Sequence, residues 1–466
     1  MQSRICTVLI GLLLVFTVTS CSSESSKTNL SAINGISSQS TLQETESPVI
    51  ITTEAYLQTL SNQEKCWMEL KPEQYLEDYD SLYQQLTENY SYFGVAQRKY
   101  GADIPKLYEQ YRERIAVCEN DVDFWESIRA FISEFQATGH ISVWGYRYMS
   151  QVKWLQDFMV EYPESEEKFQ PYLELLDNAI SQTNYVAMQE FYQGIDAAVE
   201  ALNSAADSQP ADHVQSDSNM EESEYHNVTT EVLIEDKVAY VKIDAFDMSL
   251  FSSDRELLYG FYDDVMGYPH IIIDITDNPG GGMDYFNQLV VAPLTTKILE
   301  VPTYQLIKGG GLNLHYLRVE EGLQDGTWQP ISELPPMADI NQSDLADMDY
   351  FNKEVYTVQP SGNGFPGRIW LLVSENNYSS SEYAAMFSKH SGFATLVGAQ
   401  TRGDGIGVDP TYIILPNSGL VIQYSPVYGI TSDGKNSEEY GTIPDIRNHE
   451  GKTVLETCLK VINEGN

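Results

Sequence analysis

The chain is poor in cations. It carries 27 Lys and Arg residues against 68 Asp and Glu, a net charge of −41 over 466 residues. So acidic a chain repels phosphate backbones, which excludes nucleic acid as a partner. The same charge gives it no electrostatic attraction to an anionic bilayer. Cysteine and histidine are scarce, at five and seven. No C-x-x-C or His-x-x-x-His spacing occurs, so neither a structural nor a catalytic zinc pattern is present, and we expect no metal and no cofactor. Beyond the N-terminus there is no second apolar run long enough to span a bilayer.

The N-terminus itself is rich in signal. Arg4 precedes "ICTVLIGLLLVFTVTS", an apolar run that ends in small residues, and Cys21 follows. A basic start, a short apolar core and a small-residue end describe a secretory leader, here residues 1–20. "VTSC" at 18–21 resembles the lipobox of bacterial lipoproteins. That resemblance implies cleavage before Cys21, a diacylglyceryl group on its thiol, and an extracytoplasmic protein held at the membrane by lipid. The alternative is a plain secretory leader with an incidental Cys21. Residues 21–52 are rich in Ser, Thr, Asn and Gln and nearly free of aromatics, which predicts a flexible tether. Cys66, Cys118 and Cys458 remain; Cys66 and Cys118 could pair, and sequence does not decide it.

The roughly 400 residues that follow are enough for two domains. Residues 53–136 place apolar residues three and four apart, as in "LEDYDSLYQQLTENYSYF" and "DVDFWESIRAFISEF", and predict a helical bundle with Asp121 as one N-cap. Residues 137–225 begin with an alternating strand, "HISVWGY", return to helical spacing, and end in an acidic linker from 204. Residues 226–466 alternate strands and helices. "HIIIDIT" and "RIWLLVSE" are continuous apolar strands of the kind buried on both faces. "TYIILPNSGLVIQYS" reads as a hairpin turning at Asn417-Ser418-Gly419. The order predicts an α/β fold with a mostly parallel central sheet and an antiparallel portion near the end.

Two segments carry chemistry. "DITDNPGGGMDYF" ends a buried strand and offers the N–H groups of Gly280, Gly281 and Gly282 at a turn, as an oxyanion hole or anion cradle would. "NNYSSSEYAAMF" follows another buried strand with three serines and a glutamate. Ser379 and Glu382 have capping-box spacing, so a helix start is one reading and a nucleophile the other.

Five stretches in register resemble one family, the serine peptidases that include the C-terminal processing peptidases and the tricorn core protease. They are "NYSYF" with "FQATGHISV", Asp274 to Gly281, "VSENNYSSSEYAAMF", "GFATLVGAQTRGDG", and "LPNSGLVIQYS" with "DGKNSEEYGTIPDI", within residues 80–447. The resemblance implies a ClpP/crotonase-like peptidase core and a Ser379 nucleophile. It also implies an oxyanion hole from Ser380 with Gly280 or Gly281, leaving Ser381 and Glu382 to cap and pack. In the C-terminal processing branch a lysine serves as base in Thr-x-Gly-Lys. Here the stretch is Thr401-Arg402-Gly403-Asp404, and the lysine is absent. The tricorn branch uses a histidine and a glutamate, and the matching positions are His140 and Glu438. Histidine suits the task because it titrates near neutrality, and a carboxylate can orient it. Thr138 stands where the family often has Asp. No PDZ pattern is found. The implied function is a lipid-anchored serine peptidase acting on peptide or protein substrates through a Ser379 acyl-enzyme. The alternative is a peptidase-like binding lipoprotein without catalysis.

Overall fold

The computed structural model describes residues 50–146, 148–161, 173–174, 176–207, 226–319 and 327–465. The expected leader, Cys21 and nearly all of the tether lie outside these residues, as does the linker from 208 on.

Helices Pro72–Asn89, Phe93–Tyr100, Ile104–Ile115 and Asp121–Ser133 form the first part. Their apolar spacing is matched by burial: Tyr75, Tyr79, Leu82 and Leu86 line the inner face of the first helix. The predicted cap of the last helix is one residue off. Asn120 Oδ1 accepts the Asp123 N–H at 2.9 Å. Asp121 instead turns inward and accepts Trp67 N–H, Met68 N–H and the Tyr75 hydroxyl, each at 2.5 Å. Thus a buried carboxylate ties the preceding segment to the helix rather than capping it. Helices Tyr148–Glu161 and Ala179–Asp207 follow. Neither these nor the other described helices are long and apolar enough to cross a membrane.

Thirteen strands fall into three sheets among the described residues. The strands are β1 (Ser142–Val143), β2 (Val228–Ile234), β3 (Val238–Ile243), β4 (His270–Asp274), β5 (Leu299–Ile307), β6 (Gln329–Pro330) and β7 (Tyr350–Val358). They continue with β8 (Arg368–Val373), β9 (Thr395–Gly398), β10 (Thr411–Ile414), β11 (Val421–Tyr424), β12 (Val427–Thr431) and β13 (Ile446–Arg447). The central sheet has the order β13-β9-β8-β4-β3-β2 and is parallel except for β2 against β3. β4 and β8 sit at its middle, covered on both faces, as their unbroken apolar runs require. The predicted hairpin is present as β10 and β11, with Ile414 opposite Val421. It belongs to a separate sheet with β1, however, and its turn rests on Asp78, which accepts the Asn417 and Ser418 N–H groups at 2.8 Å. The third sheet, β12-β5-β7-β6, is antiparallel.

One apolar core joins the N-terminal helices to β10–β12, β5 and β7. A second fills one face of the parallel sheet, and a third seals the other face beneath helix Val454–Asn463. β4 and β8 pair side by side, so the turns that follow them, 275–282 and 374–379, leave the sheet together.

Candidate active site

A polar knot joins those two turns. Asn278 Nδ2 donates to Ile243 O at 3.1 Å, and Asn377 Nδ2 donates to Asn278 O at 3.0 Å. Asn377 Oδ1 accepts the Ser374 N–H at 2.8 Å. Ser381 Oγ accepts the Tyr378 N–H at 3.0 Å and lies 2.8 Å from Asn278 O. Both asparagines and Ser381 are fully buried, so each bond satisfies groups that water cannot reach.

Ser379 is the N-cap residue of helix Ser380–Ser391, but its side chain caps nothing. The capping box suggested by its spacing to Glu382 does not form. The Ser379 hydroxyl lies 3.1 Å from His140 Nε2, across a sequence separation of 239 residues. Glu382 is buried against the Thr401 and Thr442 segments, and its Oε1 accepts the Thr442 hydroxyl at 2.7 Å.

The second nitrogen of His140 contradicts the expected partner. His140 Nδ1 is 2.5 Å from Asp404 Oδ2. Glu438, expected to orient the imidazole, lies one hydroxyl away. Its Oε2 accepts from Tyr378 at 3.0 Å, and its Oε1 is 3.6 Å from Lys99 Nζ. The reason is Asp404, which ends the stretch Thr401-Arg402-Gly403-Asp404 and faces the imidazole. Among the described residues neither Lys389 nor Lys99 stands in for the imidazole as base. Lys389 pairs with Asp445 at 3.1 Å, and Lys99 reaches Glu438 rather than Ser379.

Burial works against a charged His140 and is the largest influence on it. The charge and hydrogen bonding of Asp404, with the charges of Glu438 and Asp409, outweigh it, so the imidazole pKa ends above its ordinary value. Burial also pushes the Glu438 carboxyl up, and the neighbouring Asp404 charge adds to this; Lys99, Tyr378 and His140 offset only part.

Ser379, His140 and Asp404 share one backbone feature. Their φ angles are 59°, 56° and 62°, in the left-handed region that side chains avoid. Six non-glycine residues among those described have positive φ, and two more of them, Gln136 and Ala137, lie in the His140 loop. Each such residue costs about 1–3 kcal/mol and persists only where its surroundings impose it.

The expected oxyanion donors divide. The Gly280 N–H is engaged, donating to Asn278 Oδ1 at 2.9 Å. Gly280 instead permits close approach: a Cβ there would come 2.8 Å from Tyr378 O and 3.2 Å from Ser379 Cβ. The N–H groups of Gly281 and Ser380 make no hydrogen bond among the described residues. The Ser380 hydroxyl donates to Gly281 O, which fixes the two against each other. Two unengaged donors beside a serine held by a histidine can receive a developing oxyanion.

Sequence reasoning missed Asp404 as the imidazole's partner, along with Tyr92 and Tyr378. Gly139 is glycine because a Cβ would come 2.4 Å from the Tyr92 ring, and its φ is +59°. The Tyr92 hydroxyl donates to Val427 O at 2.6 Å and lies 3.4 Å from Asp404 Oδ1. Among the described residues no group of three or more His, Cys, Asp or Glu side chains is placed to hold a metal ion.

Residues 237–448 match peptidase family S41. A structure of a candidate peptidase from Parabacteroides merdae is 14% identical, with a TM-score of 0.50 over 84% of this chain and 97% of that one. Mature CPAF, solved with lactacystin, is 14% identical, with a TM-score of 0.47 over 81% of this chain and 94% of that one. The tricorn protease is 18% identical, with a TM-score of 0.26 over 49% of this chain and 18% of that one. At 14% identity the first of these likenesses is one of fold alone. No curated protein matches the chain.

Proposed function

By residues 237–448 this chain belongs to peptidase family S41 and is a serine-type peptidase, and we propose that it cleaves peptide bonds through a Ser379 acyl-enzyme. The observation that carries the mechanism is the 3.1 Å contact between Ser379 Oγ and His140 Nε2. That distance is within general-base reach. His140 takes the hydroxyl proton as Ser379 Oγ attacks the scissile carbonyl carbon. The imidazolium so formed is paired with Asp404, which also fixes the tautomer by accepting from Nδ1. The carbonyl oxygen, now negative, is received by the Gly281 and Ser380 N–H groups. His140 returns the proton to the leaving amine, and a water activated by the same imidazole hydrolyses the acyl-enzyme. Glu438 stands behind this arrangement and does not touch the reacting atoms. The reading is tested by assaying cleavage of a peptide library: Ser379→Ala should abolish it, and cleavage surviving in that variant would overturn the assignment.

The same reading makes the protein an extracytoplasmic lipoprotein anchored through Cys21, on the strength of the leader and "VTSC". Two acyl chains on one thiol suffice for stable attachment, whereas the acidic surface offers none. Membrane fractionation of Cys21→Ser should move the protein from the pellet to the soluble fraction. Equal pelleting of variant and wild type would refute the anchor.

A further inference from the structure

The loop that carries His140 holds three non-glycine residues and one glycine at positive φ. Gln136, Ala137, Gly139 and His140 have φ angles of 50°, 59°, 59° and 56°. Such a run does not persist on its own preferences and must be held from outside. Each of its carbonyls is in fact taken by a donor from elsewhere in the chain. Gln136 O accepts from Arg402 at 3.4 Å, Ala137 O from the Tyr378 hydroxyl at 3.1 Å, and Thr138 O from the Tyr90 hydroxyl at 2.7 Å. Gly139 O accepts from Ser425 N–H at 2.7 Å and His140 O from Gln423 at 3.2 Å.

Tyr378 does more than supply one of these bonds. Its hydroxyl also accepts the His140 N–H at 3.3 Å, so one oxygen grips the loop at two points. Its ring lies 4.9 Å from the imidazole, centroid to centroid. The Arg402 guanidinium sits 5.0 Å from the Tyr378 ring centre and, through Gln136, reaches the same loop. Tyr378 immediately precedes the nucleophile, and its own N–H is fixed by Ser381. It is therefore a rigid link between the turn that presents Ser379 and the loop that presents His140.

We propose that Tyr378 is a positioning residue for the His140 base, and that Glu438 supports the imidazole by bracing the Tyr378 hydroxyl rather than by contacting the ring. The proposal rests on the peptidase reading above. It gives Glu438 a role that its position 3.0 Å from the phenol requires. A phenol has one proton. If Glu438 carries a proton, it donates to the Tyr378 oxygen, and Tyr378 is free to donate to Ala137 O while accepting the His140 N–H. Every group is then satisfied. If Glu438 is ionised, it competes with Ala137 O for the single phenol proton, and the grip on the loop loosens. The other charged groups nearby do not alter this count. Asp404 is committed to Nδ1 and lies 3.4 Å from the phenol, Lys99 is committed to Glu438, and Arg402 is committed to the ring face and Gln136.

The test compares Tyr378→Phe, Glu438→Gln and the double variant in the full chain. In Tyr378→Phe, kcat should fall about 10- to 100-fold with KM within about two-fold, as for a base displaced by less than an ångström. Glu438→Gln should lower kcat by no more than this, and the double variant should be no worse than Tyr378→Phe, since both act through one hydroxyl. Arg402→Gln, which removes an exposed side chain, should also lower kcat with KM unchanged. Hydrogen exchange gives a readout independent of turnover: the His140 amide should exchange at least about 10-fold faster in Tyr378→Phe, because it loses its acceptor. Unchanged kcat and unchanged exchange in Tyr378→Phe would overturn the proposal, as would losses in the two single variants that multiply in the double. Peptidase activity that survives Ser379→Ala would instead remove the reading beneath it, and exchange at His140 would still decide the role of Tyr378.

Discussion

At the scale of single residues, the site depends on which carboxylate meets the imidazole. Asp404 does so at 2.5 Å, and the consequence is measurable in the pH profile. In the proposed mechanism His140 must be neutral to act as base, so its raised pKa should place the acid limb of kcat/KM above that of a free imidazole. In Asp404→Asn the largest remaining influence is burial, which lowers the pKa, so the acid limb should move to lower pH. The tautomer is no longer fixed by a carboxylate, and kcat should fall about 10³- to 10⁴-fold. Glu438→Gln should lower kcat much less. An acid limb that stays in place in Asp404→Asn, or a larger loss from Glu438→Gln, would return the orienting role to Glu438.

At the scale of elements, the helix that begins at Ser379 and the segment that carries Asp404 are bound by a buried acid. Glu382 is almost wholly inaccessible, its Oε2 has no partner among the described residues, and burial raises its pKa to about 8. The folded protein therefore binds this proton more tightly than the unfolded chain. The stability so conferred is fully present below the unfolded value of about 4.5 and is lost as pH rises through about 8. We expect the melting temperature to fall between pH 6 and pH 9. Glu382→Gln should reduce that fall by at least about 2 °C, with the similarly raised Glu438 and His140 sharing in the remainder. A melting curve whose pH dependence is the same in both proteins would contradict this account of Glu382.

The elements also show where sequence reading succeeds. β4, β8 and helix Ser380–Ser391 were legible because long apolar runs and a Gly392 stop are local signals. β5 and β7 were not, because Pro302 argues against a strand in β5, and in β7 the charged Glu354 is half-buried while the apolar Val355 is exposed. In the site, Ser379 and His140 could be picked out by motif. Asp404 could not, since a carboxylate at a lysine position reads as a loss until the fold brings it to Nδ1. Tyr378 left no signal at all: among 31 tyrosines, nothing but its contacts distinguishes it.

At the scale of the whole molecule, the active site is a meeting of distant segments. The proposed nucleophile comes from the turn after β8 and the proposed base from a loop after the N-terminal helices, and one apolar core unites those helices with β10–β12. Tyr90 and Tyr92 carry this dependence down to single bonds, since one holds Thr138 O and the other underlies Gly139. The central claim, that this assembly activates Ser379 through His140, is tested most directly by reacting the purified protein with a fluorophosphonate and mapping the adduct by mass spectrometry. The account predicts one adduct, on Ser379, absent in Ser379→Ala and slowed at least about 10³-fold in His140→Ala. An adduct at another residue, or labelling of Ser379 at an undiminished rate without His140, would contradict it.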